Sequence, residues 1–346
     1  MPGDTYPYFR AAAVHAAPVF LDRDATLGRV EDWVRRARHA GADLVVFGES
    51  FVPGFPLWNF LYAPVDQHEF FRRLFDNAVE VPGPHVERLC EIARAHGVVL
   101  SVGITEKGRV SMGAMWNSNL LIDATGQIVN HRRKLVPTWA EKLTWANGDA
   151  AELVPADTSY GRLGVLICGE NTNPLARFAL LAQGEQVHIA TYPPAWPFRR
   201  PGSSQNYDLK EAIRIRSAAH SFEGKVFSVV AGTALDGTTV QVVARGNRKI
   251  RALLEATPPS ASMILGPQGE LLSEVASDSE RLVTADIDIA LSIEHKQAHD
   301  VVGYYNRFDI FRLTVDRRPN DPIQVLGVER SAVDGRSDVM AEPGTG

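Results

Sequence analysis

The sequence contains few cysteines and no long apolar run. Only two of its 346 residues are cysteines, Cys90 and Cys168, too few for a disulfide framework or for a metal site built from cysteines alone. No segment approaches the roughly 20 uninterrupted apolar residues of a membrane-spanning helix. The apolar stretch 11–20 contains His15 and Pro18 and has no basic leader before it, so we expect no secretory signal. These absences favour a water-soluble protein of the reducing cytoplasm, with at least one thiol free to react.

An excess of positive charge is absent too. Lysine and arginine together number 36 against 41 aspartates and glutamates, which gives a net charge of −5, and the densest basic cluster is residues 131–134. Such a chain has no electrostatic footprint for a polyanion, so we expect neither a nucleic acid nor a membrane as partner. The histidines show no HExxH motif or paired spacing. The sequence therefore predicts no metal, and it suggests no other cofactor.

Apolar extended segments alternate with amphipathic helices, which is the pattern of α/β layers. A late hairpin at 262–275 turns at 266–269, and no boundary divides the chain in two. We therefore expect one domain over residues 1–315, followed by a partly mobile extension over 316–346 that is a candidate for subunit contacts. The predicted strands are 8–18, 43–48, 98–105, 117–123, the segment leading to Lys134, 162–168, 187–193, 225–232 and 281–288; the predicted helices are one capped by Asp24 and ended by Gly41, and 67–78, 84–96, 174–182 and 206–222.

Three polar side chains lie where strands of the predicted sheets end. Cys168 closes a buried strand just before a helix opened by Pro174, where the helix N-terminus favours a thiolate. Glu49 ends its own buried strand, and Lys134 follows a third. Each residue also has a structural explanation: packing for the cysteine, a solvated loop for the glutamate and surface charge for the lysine. Cys90 lies on the apolar stripe of a helix and is expected to be a small core residue.

Three segments, FGESFVPGFP, HRRKLVPTWAEKLTW and GVLICGENTNPLARFAL, closely resemble, in this order, the signature blocks of the nitrilase superfamily. The resemblance covers about residues 8–315. It implies an α-β-β-α sandwich of two face-to-face sheets flanked by helices, whereas the residues alone indicate only alternating α/β layers. It also implies Glu49 as general acid and base, Lys134 as the cation at the reacting nitrogen or oxyanion, and Cys168 as nucleophile. Homodimers that grow into larger spirals are a further implication.

Residues near these three complete the implied chemistry. Glu141, seven residues after Lys134, matches the second acidic position of the family, which is thought to orient the lysine and the substrate-side water; the alternative is a surface ion pair. The amide of Gly169 would help Lys134 to stabilise charge on the heteroatom. Glu170 fits the signature as structural support. The implied reaction is attack by Cys168, loss of ammonia and hydrolysis of a thioester to the acid.

Nitriles and amides can both use this centre. The flanks of Lys134 and Cys168 look more like nitrilases than like amidases or carbamoylases, so hydrolysis of a nitrile is the first interpretation and an amidase the alternative. A nitrile is linear and a weak hydrogen-bond acceptor, so its pocket should have aromatic and apolar walls. Aliphatic, arylaliphatic and aromatic nitriles all stay open. The candidate wall residues, each of which a core position also explains, are Phe51, Trp116, Trp145, Tyr192 and Trp196.

Two interpretations belong to other classes. A non-catalytic scaffold would have no reason to keep the glutamate, lysine and cysteine together. A thiol protease would need His15, His131 or His188 beside the nucleophile, and the spacing does not suggest one. The C-terminal segment departs from the superfamily, with Tyr304 where a histidine is common and Phe308 where a proline is common, and these departures concern subunit packing and pocket details.

Overall fold

Two β-sheets packed face to face form the centre of the computed structural model, which describes residues 5–197, 199, 207–273, 275–277 and 279–320. The strands are β1 Tyr8–His15, β2 Leu44–Val46, β3 Val99–Lys107, β4 Met115–Ile122, β5 Ile128–Arg133, β6 Ala156–Thr158, β7 Gly161–Ile167, β8 Val187–Tyr192, β9 Phe227–Gly232, β10 Met263–Leu265 and β11 Arg281–Asp288. The first sheet has the order β11-β1-β2-β3-β4-β5, and the second has the order β10-β9-β8-β7-β6. Each predicted strand region therefore contains a strand, although β2 is shorter than predicted.

Eight α-helices occur in the described part of the chain. The first begins after Asp22, whose carboxylate accepts from the Ala25 amide at 3.0 Å, so the prediction of Asp24 as its cap is wrong by two residues. Three short helices were not predicted: two over residues 237–256, whose available signals were the caps Asp236 and Asn247, and one at Ser292–Ala298, which has no side-chain cap. The helices are α1 Arg23–His39, α2 His68–Asn77, α3 Pro84–His96, α4 Pro174–Leu181, α5 Leu209–Gly224, α6 Gly237–Ala244, α7 Arg248–Ala256 and α8 Ser292–Ala298.

The side chains of β1 alternate between two cores. Ala11 and Ala13 lie between the sheets, whereas Ala12 and Val14 face α1 and α3. Helices α4 and α5 cover the outer face of the second sheet. The layers are therefore helices, sheet, sheet, helices, which confirms the α-β-β-α sandwich. Along the described residues, no helix is both long enough and apolar enough to cross a membrane.

The carboxyl ends of parallel strands meet at one edge of the sandwich. Strands β1, β2 and β3 are parallel to one another, and so are β7, β8 and β9. Glu49 follows β2, Cys168 follows β7, and the Glu49 amide donates to the carbonyl of Tyr192 at the end of β8 (3.2 Å). This bond between the two sheets brings two of the predicted site residues to the same edge.

The chain after α8 has no helix or strand in residues 299–320. Arg317 there donates to the carbonyl of Ala151 at 2.7 Å, so the segment contacts the sandwich. The end predicted to be mobile, SDVMAEPGTG, lies outside the described residues. The late hairpin is confirmed in its first strand, β10, while its return makes isolated bridges such as Leu265 with Leu271.

Candidate active site

Lys134 is the centre of a buried group of charged side chains. Its Nζ donates to Glu49 Oε1 at 2.7 Å and to Glu141 Oε2 at 2.6 Å, and all three side chains are 0% exposed. Because an unpaired charge in the interior costs several kcal/mol, the three groups depend on one another. Lys134 by itself would be expected at the surface; it lies in the interior, where the family resemblance requires it.

Two features that were not predicted hold Glu49 in place. Asn117 on β4 donates from Nδ2 to Glu49 Oε1 at 2.7 Å, and its carbonyl accepts from the Lys134 amide at 2.8 Å. Gly48 lets the loop approach the end of β9, because a Cβ there would lie 2.2 Å from Thr233 Oγ1 and 2.8 Å from the Thr233 amide nitrogen. Asn117 gave no signal in the sequence because only the pairing of β3 with β4 brings it beside Glu49.

Glu141 is fixed by a short 3₁₀ helix, Trp139–Leu143. Its Oε2 accepts from the Thr138 amide at 2.8 Å as well as from Lys134, in the arrangement of a capping box. Burial raises the pKa of Glu141 to about 7, the ammonium of Lys134 opposes the rise, and the charge of Glu49 adds to it. The surface ion pair that was the alternative for Glu141 is wrong, because its side chain is fully buried.

Cys168 follows β7 directly and has a left-handed backbone, with φ of +49°. An L-residue in this conformation carries about 1–2 kcal/mol of strain, so neighbouring contacts must hold it. Asn171 donates from Nδ2 to the carbonyls of Leu166 (3.2 Å) and Cys168 (3.0 Å). The turn is close-packed on its other side as well, since a Cβ at Gly169 would lie 2.7 Å from Thr138 Oγ1.

Glu170 joins the segment of Lys134 to the turn of Cys168. Its carboxylate accepts from the Ile167 amide at 2.8 Å, from the Leu135 amide at 2.6 Å and from the guanidinium of Arg132. These contacts agree with the structural support expected of this residue.

The thiol of Cys168 is neutral in the resting protein. Burial and the charge of Glu49 raise the pKa of Cys168 well above its usual range, and the ammonium of Lys134 opposes this rise only in part. The expectation that the turn favours a thiolate is therefore wrong: the helix α4 begins six residues later, whereas burial, together with the charge of Glu49, acts on the thiol directly. Glu49 Oε2 and Glu141 Oε1 are buried without a hydrogen-bond partner. A carboxylate oxygen is thus free to accept the thiol proton.

The aromatic candidates separate into two groups. Tyr192 and Trp196 pack in the apolar cluster that contains Cys168, and Trp196 also contacts the neighbouring cluster that contains Trp145. Phe55 lies between the two tryptophans, with ring centroids 5.5 Å from Trp145 and 6.4 Å from Trp196. The three predicted wall residues Trp145, Tyr192 and Trp196 therefore lie on the side of the sandwich that carries the thiol.

Phe51 and Trp116 are corrections to the predicted pocket. Phe51 packs on Phe47, with centroids 4.9 Å apart, in the core that the first sheet shares with α1 and α3. Trp116 precedes Asn117 on β4 and so points to the opposite face, where Arg133 stacks 3.9 Å over its ring. Neither aromatic side chain lies beside Cys168.

A cleft of about 440 Å³ opens at the turn of the nucleophile. Its lining includes Gly169, Thr138, Trp139 and Arg216. Trp139 was not predicted for the site; its ring contacts Phe60 (5.8 Å between centroids), which in turn contacts Trp196 (4.7 Å). Aromatic side chains therefore lead from the cleft toward the predicted walls.

The histidines required by the protease hypothesis have other partners. The Nδ1 of His15 lies 3.1 Å from Ser262 Oγ, and His131 pairs with Glu106 at 2.8 Å. His188 lies between Glu185 and Asn171. Among the hydrogen bonds of the described residues, none joins a histidine to the thiol of Cys168.

Two groups of described side chains have the spacing of metal ligands. Within each group, one ligand atom per residue lies within 4.8 Å of the others. In the first, the ammonium of Lys134 already bridges the two carboxylates, so a cation is in place there. The first group is Glu49, Glu141 and Cys168, and the second is Glu185, His188 and His220; the second, together with Asn171, is called the histidine cluster below.

Comparison with known proteins places this chain in a family. A family model described as carbon-nitrogen hydrolase matches residues 10–297. A nitrilase of Paraburkholderia phymatum is 34% identical over 334 residues, covering 96% of this chain and 94% of that protein. An arylacetone-specific nitrilase of Alcaligenes faecalis is 32% identical, covering 91% and 86%. A carbon-nitrogen hydrolase structure from Helicobacter pylori has the same fold, with a TM-score of 0.65, 20% identity, and coverage of 88% and 97%.

Proposed function

The chain belongs to the carbon-nitrogen hydrolase family, and from this membership and the geometry of the buried centre we propose that it is a nitrilase, which converts an organic nitrile to its carboxylic acid and ammonia. The relatives that support this activity are named as nitrilases and align along almost the whole chain. The proposed catalytic residues are Cys168, Glu49, Lys134 and Glu141.

One observation carries the proposal: a lysine ammonium bridges two carboxylates beside a buried thiol. Lys134 stays charged, since Glu141 and Glu49 raise its pKa although burial opposes them. A permanent cation in a dry site is suited to stabilising negative charge on a reacting nitrogen or oxygen. It is unsuited to accept a proton, and the role of base therefore goes to Glu49.

The first half of the reaction forms a bond between sulfur and carbon. Glu49 Oε2, which has no hydrogen-bond partner, takes the proton from Cys168 as Sγ attacks the nitrile carbon. The electron pair displaced from the triple bond goes to nitrogen, beside Lys134 and the Gly169 amide. Glu49 returns the proton to that nitrogen, and the product is a neutral thioimidate.

The second half consumes two waters. Glu49 removes a proton from the first water as it adds to the thioimidate carbon and gives that proton to the nitrogen. It then transfers the remaining proton of the adduct's hydroxyl to the same nitrogen, so that ammonia leaves as the carbonyl of the thioester forms. A second water, activated in the same way, hydrolyses the remaining thioester and restores the thiol. Glu141, held against Lys134, is proposed to orient the ammonium and the incoming water. An amide would enter at the tetrahedral stage, so the same centre serves the alternative substrate.

The decisive experiment measures ammonia, acid and amide released from aliphatic, arylacetic and aromatic nitriles and their matching amides. Wild type is compared with Cys168→Ala, and Cys90→Ala is the matched control because Cys90 lies half-buried on α3. We expect nitriles to yield acid with wild type and with the control, and no turnover with Cys168→Ala.

Each other outcome replaces part of the proposal. Turnover of the amides alone would make the protein an amidase with the same centre. Normal turnover by Cys168→Ala would remove this residue as nucleophile. A folded wild type without activity on any nitrile or amide would favour the non-catalytic scaffold.

We also propose a homodimer or larger homo-oligomer, in the cytoplasm, with residues 316–346 as an extension beyond the catalytic domain. Exposed aromatic side chains on the segment after α8, Tyr304, Tyr305, Phe308 and Phe311, support a subunit contact. Both cysteines are free thiols, which supports a reducing compartment. Sedimentation of wild type and of Phe308→Ser/Phe311→Ser tests the assembly; unchanged oligomers in the variant would exclude this segment from the contact.

A further inference from the structure

The histidine cluster lies directly behind the nucleophile. Asn171, whose amide nitrogen binds the carbonyls of Leu166 and Cys168, has its Oδ1 2.8 Å from Nε2 of His188 on β8. Nδ1 of His188 is 2.7 Å from Glu185 Oε1. A continuous chain of hydrogen bonds therefore leads from a buried carboxylate to the strained backbone of Cys168, and the proposed mechanism does not use it.

The hydrogen-bond partners of Asn171 determine the proton on one side of the His188 ring. Backbone carbonyls only accept, so the amide nitrogen of Asn171 must face Leu166 and Cys168, and its oxygen must face the ring. That oxygen also only accepts. Nε2 of His188 therefore carries a proton.

The partner on the other side of the ring is an ionised carboxylate. His188 and His220 lower the pKa of Glu185 to about 2, although burial opposes them, and its second oxygen lies 2.7 Å from His220 Nε2. An ionised carboxylate only accepts, so Nδ1 of His188 carries a proton as well. With both ring nitrogens protonated, His188 is an imidazolium cation in the protein interior.

His220 is the neutral member of the cluster. Burial, together with the charge of His188, lowers the pKa of His220 to about 4. Its Nε2 donates to Glu185, while its Nδ1 is buried without a partner. One carboxylate and one imidazolium remain, so the cluster has no net charge.

The charged groups packed around the cluster are already paired. Arg177 of α4 pairs with Glu223 of α5 at 2.8 Å, and Lys296 of α8 donates to the Gly224 carbonyl near Asp300. Strand β7 contributes no side chain at this point: a Cβ at Gly164 would lie 1.9 Å from Glu185 Oε1. These surroundings leave Glu185 as the counter-ion of His188.

We propose that His188 is a positioning residue, a buried imidazolium whose Nε2–H acts through Asn171 to hold Cys168 in the left-handed conformation from which it attacks. A charge-assisted hydrogen bond fixes the Asn171 oxygen, and the fixed amide then binds the carbonyl of the nucleophile. This inference rests on the proposed function for its kinetic consequence, but its structural content is independent of any substrate.

The protonation state is measured by nitrogen NMR of histidine-labelled protein at pH 8.5, where exposed imidazoles with a pKa near ~6.5 are neutral. We expect wild type to retain one ring with two protonated nitrogens that is missing in His188→Gln and present in His220→Gln. A wild-type spectrum in which His188 is a neutral tautomer would overturn the proposal. Because no nitrile is used, this result does not depend on the proposed function.

Kinetics test the positioning role. His188→Gln should lower kcat about tenfold to a hundredfold, as expected for loss of a hydrogen bond to a charged group, with KM within about twofold. The matched control is His220→Gln, which removes a second ring of the same cluster that does not contact Asn171; its kcat should stay within about twofold of wild type. Each kcat is calculated per Cys168 thiol that iodoacetamide can alkylate. If His188→Gln and His220→Gln then have equal kcat values, His188 has only a structural role.

A further variant covers the case in which His188→Gln does not fold. Asn171→Ala keeps the pair of His188 and Glu185 and breaks only the link to the carbonyl of Cys168. We expect slower alkylation of Cys168 by iodoacetamide and a kcat reduced to the same extent as in His188→Gln, with the imidazolium signal retained. Wild-type alkylation and turnover in Asn171→Ala would contradict the proposed path.

Discussion

The reactive centre around Lys134 and the histidine cluster are both buried and charged, but they differ in how completely the oxygens of their carboxylates are paired. The ammonium faces two carboxylates, and Glu49 Oε2 and Glu141 Oε1 have no partner. In the histidine cluster, one imidazolium faces one carboxylate, and both oxygens of Glu185 are occupied. The site that must accept a proton keeps a carboxylate oxygen free on each glutamate, whereas the cluster that only positions its neighbour leaves no carboxylate oxygen free.

This difference predicts different consequences of removing the cation from each region. The centre around Lys134 has two carboxylates for one cation, so removal of the cation leaves two like charges buried. Turnover and the free energy of unfolding should therefore fall together. In the histidine cluster, where both oxygens of Glu185 are occupied, removal of the cation should mainly disturb the position of Cys168.

The largest effect is expected for Lys134→Met. Two carboxylates would lie buried without a cation, so turnover should fall at least about a thousandfold and the free energy of unfolding by about 3–5 kcal/mol. The measurements are kcat and urea unfolding, with exposed Lys249→Met on α7 as control. A Lys134→Met protein with near-normal kinetics would contradict the proposed role and its transfer from the family to this residue.

Glu141→Gln removes the charge of the second carboxylate but keeps the size and shape of the side chain. Because the pKa of Glu141 is raised to about 7, we expect wild-type kcat to increase as the pH rises through about 7, where this carboxyl ionises and strengthens its bond to Lys134. The variant should be about a hundredfold slower and should lack this limb of the pH profile. If the variant keeps the limb at the same pH, another group causes it.

His220 should make the stability of the histidine cluster sensitive to mild acid. Its pKa is lowered from 6.5 to about 4 in the folded protein, so the unfolded chain binds the proton more readily. Stability is complete above about pH 6.5 and decreases as the pH falls toward 4, by about 3 kcal/mol in total. Urea unfolding between pH 7 and pH 4 should show a smaller loss in His220→Gln; parallel curves for the two proteins would assign the acid sensitivity elsewhere.

The smallest effect is expected for Gly164→Ala. The added methyl would lie 1.9 Å from Glu185 Oε1 and displace the carboxylate, which should cost about 1–3 kcal/mol of stability and lower kcat through His188. Gly28→Ala in the middle of α1 is the control, because nothing lies within 4 Å of its Cβ and alanine favours a helix. A Gly164→Ala protein as stable and active as wild type would show that Glu185 has room to move.

Much of the fold was predictable from local patterns. Apolar runs marked the strands, and Gly97 ended α3 in a left-handed conformation as expected. The short helices α6, α7 and α8 were missed because packing, more than local periodicity, determines them. The positions of Glu49 and Cys168 at strand ends were also readable, since both follow buried runs directly.

The rest of the site depended on contacts between distant segments. Asn117, His188 and His220 lie on different elements and carry no local motif, so nothing in the chain marks them as neighbours of Glu49 or Cys168. Phe51 and Trp116 were assigned to the pocket by proximity in sequence. Trp116 points away because side chains alternate along β4, and Phe51 lies in a turn after β2 that directs it into the core with α1 and α3.

The sequence by itself determined the layered class, the strand ends that carry the glutamate and the cysteine, and, through three segments in order, the family. Only the tertiary structure decided that Lys134 is interior, that burial raises the pKa of the Cys168 thiol, and that a histidine paired with a buried carboxylate lies behind it. The physical reason is that chain direction and hydrophobic pattern are local properties, whereas protonation in the interior depends on burial and on charges brought together from different strands and helices.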